Sequence, residues 1–213
     1  MSTPFAVDDT LAHVVRPAVL WWDGATVTDT APHLDDTVRA VVAAVVAAPP
    51  AETQAVREMY RRIGLDPTKT RPSNEALLRR VRRGDAFPRV NALVDAVNLC
   101  SLELQLPYGV YDRRALAGPI VLRLGREGEA YAGIRKDTVH VAQRVIVADD
   151  QGPFGNPTSD SARAMVTSAA TEALIVVYAP ASTTAPRLTA VIDRTAALVA
   201  VAVGGREAAR WIA

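Results

Sequence analysis

The stretch "PRVNALVDAVNLCSLELQLPYGVYD", Pro88 to Asp112, decides how this chain is read. From Arg89 to Glu103 its apolar residues recur at helical spacing. Val90, Leu93, Val94 and Val97, with Ser101, form a stripe suited to a core. Asn91, Asp95 and Asn98 stand at i, i+4 and i+7 and share another face. Asn and Asp compete with the backbone for hydrogen bonds, which disfavours them inside helices. A row of short amides and a carboxylate suits a fixed polar environment better than open water. Two uses fit: a lock on a neighbouring loop, or a wall of a ligand cleft. The segment "PYGVYD" follows, with Tyr108, Tyr111 and Asp112 near the end of that helix. Its two phenols line a pocket or sit at the core edge with tethered hydroxyls.

Upstream, "HVVRPAVLWW" (His13–Trp22) reads as a strand ending at the turn Asp23-Gly24. "DDTVRAVVAAVVAA" opens a helix with two acids, as the helix dipole favours. Glu52 to Ile63 reads as a second helix, closed by Gly64. "RPSNEALLRRVRRG" reads as a third, with Ser73 or Asn74 as N-cap, Glu75 in the first turn, four Arg in the last turns and Gly84 as its stop. Downstream, "PIVLRL" is a short strand. "VHVAQRVIVADD" reads as a half-buried strand with its valines on one face and His140 on the other. "GPFGNPTSDS" (Gly152–Ser161) is a loop, "EALIVVYAP" a central strand, and "RLTAVIDRTAALVAVAVGG" a closing helix. Helices come first and strands later, so the expectation is α+β, N-terminal helices packed on a mixed β-sheet. Residues 1–12 are expected as a loose arm and 13–213 as a single domain.

The chain has 213 residues, a net charge of +1 and ordinary globular composition, so its average charge points to no nucleic-acid or membrane partner. Its one cysteine, Cys100, excludes an internal disulfide and a Cys-based zinc site. His13, His33 and His140 show no metal-ligand spacing, and neither metal nor cofactor is expected. No basic start precedes an apolar run, so no signal peptide is expected. The apolar run before Pro49-Pro50 is shorter than a membrane span. A cytoplasmic protein is expected. Charge is segregated, however: from Arg57 to Arg89 there are ten basic residues against four acids, an excess of six. Arg71, Arg79, Arg80, Arg82 and Arg83 belong to this patch. Clustered guanidiniums match phosphate oxygens, and a solvated helix face carries the same pattern.

The run "DPTKTRPSNEALLRRVRRGDAFPRVNALVDAVNLCSLELQLPYGVYD" resembles the B-three/B-four editing module of the phenylalanyl-tRNA synthetase β subunit, and more closely its freestanding relatives. The resemblance rests on Arg71-Pro72-Ser73, Pro88, Asn91, Val94-Asp95, Asn98, Pro107 and Tyr111-Asp112 (Phe-Asp in the synthetase). It continues through "GPFGNPTSDSARAMVTSAATEALIVVYAP", covering roughly residues 59–181. It implies an α+β fold, tRNA as partner, and hydrolysis of tRNA charged with tyrosine in place of phenylalanine. Carried over residue by residue, the synthetase's Thr-Asn pair becomes Val97-Asn98 and its His becomes Gly109. Its acidic reader of the tyrosine hydroxyl falls near Val176 or Val177. Those three departures argue against tyrosine editing by the synthetase's own contacts and leave open another substrate or no catalysis.

The loop "NPTSDS" offers Thr158, Ser159, Asp160 and Ser161, for a ligand or for an Asx or Ser/Thr turn. An aminoacyl ester is already activated, so positioning a water and stabilising the oxyanion suffices, with no covalent nucleophile. The expected function is trans-acting hydrolysis of a mischarged aminoacyl-tRNA. Asn98, Asp112 and Asp160 would be catalytic. Asn91, Asp95, Tyr108, Gly109, Tyr111, Thr158, Ser159 and Ser161 would bind substrate, and the five arginines would bind tRNA. The alternatives are a non-catalytic module binding tRNA or an amino acid, and a hydrolase of a small amino-acid derivative.

Overall fold

The computed structural model describes residues 4–49, 53–135 and 137–213. The helices are α1 (Asp35–Ala47), α2 (Gln54–Arg62), α3 (Ser73–Arg82), α4 (Ala92–Leu104) and α5 (Ala185–Val203). The strands are β1 (Phe5–Val7), β2 (Val15–Asp23), β3 (Tyr108–Asp112), β4 (Ile120–Leu124), β5 (Ala130–Ala132), β6 (Thr138–His140), β7 (Val145–Asp149), β8 (Gly152–Gly155), β9 (Glu172–Pro180) and β10 (Arg206–Ile212). The expected α+β architecture holds, with two four-stranded sheets in place of one, ordered β10-β2-β9-β3 and β1-β4-β7-β8, and a two-stranded β5-β6 ribbon. The second sheet is mixed: β1 runs parallel to β4 and the other pairs are antiparallel.

β9 is interior, as its continuous apolar run predicts, and pairs along its whole length with β2. Period-2 alternation sends its side chains to two faces. On one face Tyr108 of β3 reaches α5, where its hydroxyl meets Thr195 Oγ1 at 2.9 Å. On the other, Tyr111 stands edge-on to Phe154 of β8, with ring centroids 4.9 Å apart. The β2–β9 sheet thus lies between helices and the second sheet, and both of its faces are buried. Leu20, Leu174, Ile175, Val176 and Val177 have no exposed surface.

Several elements differ from the sequence expectation. Of the expected arm, Phe5–Val7 pairs with β4, and Phe5 is buried against Trp21 and Trp211. The α2 start expected at Glu52 lies outside the described residues. α3 has no side-chain cap: Pro72 precedes it, and Asn74, fully buried, donates from Nδ2 to Gln105 O at 3.1 Å. α4 begins after Asn91, so Val90 precedes the helix and is 55% exposed instead of joining the core stripe. "VHVAQRVIVADD" is two strands, because Gln143 takes a positive φ of 59° and breaks the run. The first half of "GPFGNPTSDS" is strand β8. β10 is a further strand that closes the first sheet beyond α5.

Candidate functional site

The amide row on α4 divides into two jobs. Asn91 is the N-cap: Oδ1 accepts from the Val94 N–H at 3.0 Å, and Nδ2 donates to Val166 O at 3.3 Å. Asp95 is 1% exposed. It accepts from the Val90 N–H at 2.7 Å and from Arg89 at 3.3 Å, while Arg89 also pairs with Asp35 in the first turn of α1. These two residues lock the chain entering α4 to α1 and to the segment around Val166. Asn98, one turn further on, is half-buried and has no hydrogen-bond partner among the described residues. It opens into a cleft of about 610 Å³.

One wall of that cleft is α3 and the segment before it, which supply Arg71, Arg79, Arg80 and Arg83. Ala76, Leu77 and Pro88 give it an apolar part. Ser73, Asn98 and Thr158 give it uncharged polar groups. The Ser73 and Thr158 hydroxyl oxygens are buried without a hydrogen-bond partner. The arginines are not equally committed. Arg71 lies 3.6 Å from Glu75, whose carboxylate is bonded by Arg57. Arg83 pairs with Asp85 at 2.9 Å. Arg80 donates Nε to Ala86 O at 2.6 Å. Arg79 has no partner among the described residues and points to solvent. Arg82 does not line the cleft. It turns to the other side of α3 and donates to Val45 O, Ala48 O and Pro49 O, the carbonyls left open at the end of α1.

The loop 156–161 is built on Asn156, which is 5% exposed. Its Oδ1 accepts from the N–H groups of Thr158 and Ser159, both at 2.8 Å, an Asx turn. Its Nδ2 donates to the Tyr131 hydroxyl at 2.7 Å, and that hydroxyl donates to Ser159 O at 2.6 Å. Tyr60, fully buried, donates to Pro157 O at 2.9 Å. Ser161 is buried and accepts from the Ala164 N–H at 3.3 Å. Of the loop's expected site residues, Thr158 alone lines the cleft.

The remaining expected residues do not line the cleft. Tyr108 and Tyr111 are three apart in a strand, so they face opposite sides of the sheet and share no pocket. Tyr111 and Tyr178 meet through their hydroxyls at 2.9 Å, with no exposed surface on either. Burial first, and then the Asp160 carboxylate, hold both phenols well above the usual tyrosine range. Gly109 faces the same side. A Cβ there would overlap the Tyr111 hydroxyl and lie 2.7 Å from its Cζ, and one at Gly155 would lie 2.6 Å from the same carbon. The Tyr111 phenol therefore fills the space that a side chain at 109 would need. Asp112 caps the following turn, accepting from the Arg114 N–H at 3.0 Å. His140 is exposed on β6. Cys100 is fully buried, and desolvation pushes its thiol up to about 12, so it is no nucleophile. The Tyr60–Asn156–Tyr131 support was missed in the sequence. The one available signal for the phenol pair was Tyr178, the sole polar group inside an otherwise apolar β9 core.

Among the described residues no helix is long and apolar enough to cross a membrane, and no group of three or more His, Cys, Asp or Glu is placed to hold a metal ion. This chain is similar to known proteins in sequence and in fold. The phenylalanine–tRNA ligase β subunit of Thiobacillus denitrificans is 33% identical over 124 residues, which is 58% of this chain and 15% of that protein. The β subunit of Neisseria gonorrhoeae is 36% identical over 64 residues, 30% of this chain and 8% of that protein. The matches thus span a small part of these curated relatives. An N-terminal fragment of the phenylalanyl-tRNA synthetase β subunit from Pyrococcus horikoshii has the same fold, with a TM-score of 0.53 at 12% identity over 97% of this chain and 50% of the fragment. The model of the B3/4 domain matches residues 55–196, which include α3, α4, the 156–161 loop and β9. This chain belongs to the B3/4 domain family.

Proposed function

We propose that this B3/4 module takes the charged 3′ end of a tRNA into the α3–α4 cleft and hydrolyses a mischarged aminoacyl ester in trans. One observation carries the reading: Asn98 and Thr158, from distant segments, open onto the same cleft as Arg71, Arg79, Arg80 and Arg83. Guanidiniums supply phosphate contact at the rim. The Asn98 amide and the Ser73 and Thr158 hydroxyls supply neutral donors and acceptors for ribose and ester. An activated ester needs a placed water and a donor to the developing oxyanion, and neutral donors meet that demand. Asp160 stands next in the chain but one to Thr158. Its carboxylate does not line the cleft and acts instead on the buried Tyr111 and Tyr178 phenols, so in this reading the water is placed by the neutral groups of the cleft.

The test is a deacylation panel of mischarged tRNAs run beside filter binding. Accelerated loss of at least one wrong amino acid, abolished in Asn98→Ala, supports the reading. A second reading, a non-catalytic binder of tRNA, is favoured by the absence of any carboxylate or imidazole among the described residues lining the cleft. Tight, salt-sensitive tRNA binding with no ester hydrolysed across the panel selects it.

A further inference from the structure

Resting on the tRNA-end reading above, we infer that the aminoacyl group selected by this cleft carries an acidic side chain. The charge arrangement around the cleft is the ground. Glu75 is taken by Arg57, with Arg71 beside it, and Asp85 is taken by Arg83. That leaves two cleft guanidiniums with no carboxylate partner among the described residues. Among the described residues Arg79 has no partner, and Arg80 bonds the Ala86 carbonyl alone, through Nε. Both project from the exposed side of the last turns of α3.

Two open guanidiniums fit two anions. The phosphodiester of the terminal nucleotide is one. The second is met by a side-chain carboxylate, which a guanidinium grips through two parallel N–H···O bonds. The same arrangement works against basic groups. An aminoacyl ester brings an α-ammonium, and no carboxylate among the lining residues receives it. A lysyl side chain would add a second positive charge to a wall of four arginines. An aspartyl or glutamyl side chain cancels the α-ammonium and engages the open guanidinium. A cavity of about 610 Å³ holds a nucleotide with a short acidic side chain.

The experiment uses the full chain and three non-hydrolysable probes. Each is a 3′-amide-linked aminoacyl analogue of adenosine 5′-monophosphate, carrying aspartate, its neutral isostere asparagine, or lysine. Binding is measured by calorimetry at low salt and again at about 0.5 M salt, where screening is strong. The aspartyl probe should bind about tenfold more tightly than the asparaginyl probe, the size expected for one partly solvated charge pair, and the lysyl probe should bind most weakly. The aspartyl preference should shrink in high salt and approach unity in Arg79→Gln combined with Arg80→Gln, two exposed positions whose folding is checked by circular dichroism. Equal affinities for the aspartyl and asparaginyl probes overturn the inference, because both guanidiniums then serve phosphates. If tRNA binds in that case, the tRNA reading survives without the acidic preference. If the aspartyl preference is present and tRNA does not bind, the preference stands and the tRNA reading falls. If neither probes nor tRNA bind, both fall.

Discussion

Replacing Gly109 by Ala tests whether the Tyr111 phenol and a side chain at 109 compete for one space. Gly109 does not have a positive φ, so its backbone accepts alanine and the cost is steric. The added Cβ overlaps the Tyr111 hydroxyl and sits 2.7 and 2.9 Å from Cζ and Cε2 of a ring with no exposed surface. Overpacking of this kind costs about 1–3 kcal/mol. Moving the phenol also breaks its 2.9 Å bond to Tyr178, about 1 kcal/mol more. Gly109→Ala should therefore lose about 2–4 kcal/mol. Tyr111→Phe alone should lose about 1–3 kcal/mol, because it strands the buried Tyr178 hydroxyl. In the double variant the nearest clashing atom is gone and the hydroxyl bond is already lost, so the two losses should fall short of their sum by at least about 1 kcal/mol. Urea unfolding at constant m measures all four states of the cycle, and each kcal/mol should appear as about 2–4 °C in Tm for a chain of this size. Additivity within about 0.5 kcal/mol refutes the competition.

Asn98→Ala should leave stability within about 0.5 kcal/mol, since no partner is lost, and should cut ester turnover at least about tenfold. A thermal melt beside a deacylation assay reads both. Arg79→Gln should reduce the salt slope of tRNA binding by about 0.7–0.9, whereas Arg82→Gln should leave the slope intact and cost about 1–3 kcal/mol by freeing the Val45, Ala48 and Pro49 carbonyls at the C-terminal end of α1. Arg57 bonds Glu75 and holds its carboxyl below the usual range, with burial opposing. The folded value lies under the unfolded one. The pair's contribution is therefore complete above the ordinary carboxylate pKa of about 4.3 and is lost as pH falls through the lower folded value. Glu75→Gln should flatten that acid limb in a pH series of urea midpoints.

Much of the fold was legible because its elements declare themselves locally. α1, α4 and α5 carry helical periodicity, and β2 and β9 are long β-rich runs. β1, β5 and β6 have three residues each, too few to show alternation, and β1 exists only through pairing with β4, over a hundred residues away. The site was legible in part for a different reason. A helix-face argument places Asn91, Asp95 and Asn98 together, and the helix start at Ala92 separates them: the first is a cap, the second binds the chain before the helix, and the third is left for the cleft. In the same way, patch charge gathers five arginines, but helix rotation sends Arg82 to α1 while Arg79 and Arg83 stay on the cleft side.

The departures at 109 and 111 belong together physically. An imidazole at 109 has no room beside the Tyr111 hydroxyl, and that hydroxyl has no room except between two glycines, Gly109 and Gly155. The phenols of Tyr111 and Tyr178 are held protonated by burial, so they titrate too high to act as bases near neutral pH. His140 stands exposed on β6 and does not line the cleft. If this cleft hydrolyses an ester, it does so without a histidine. Its pH–rate profile should lack a limb near the ordinary imidazole pKa of about 6.5, and His140→Ala should leave the profile unchanged. A limb near that pH that vanishes in His140→Ala would move the chemistry to β6 and remove the α3–α4 cleft from the mechanism.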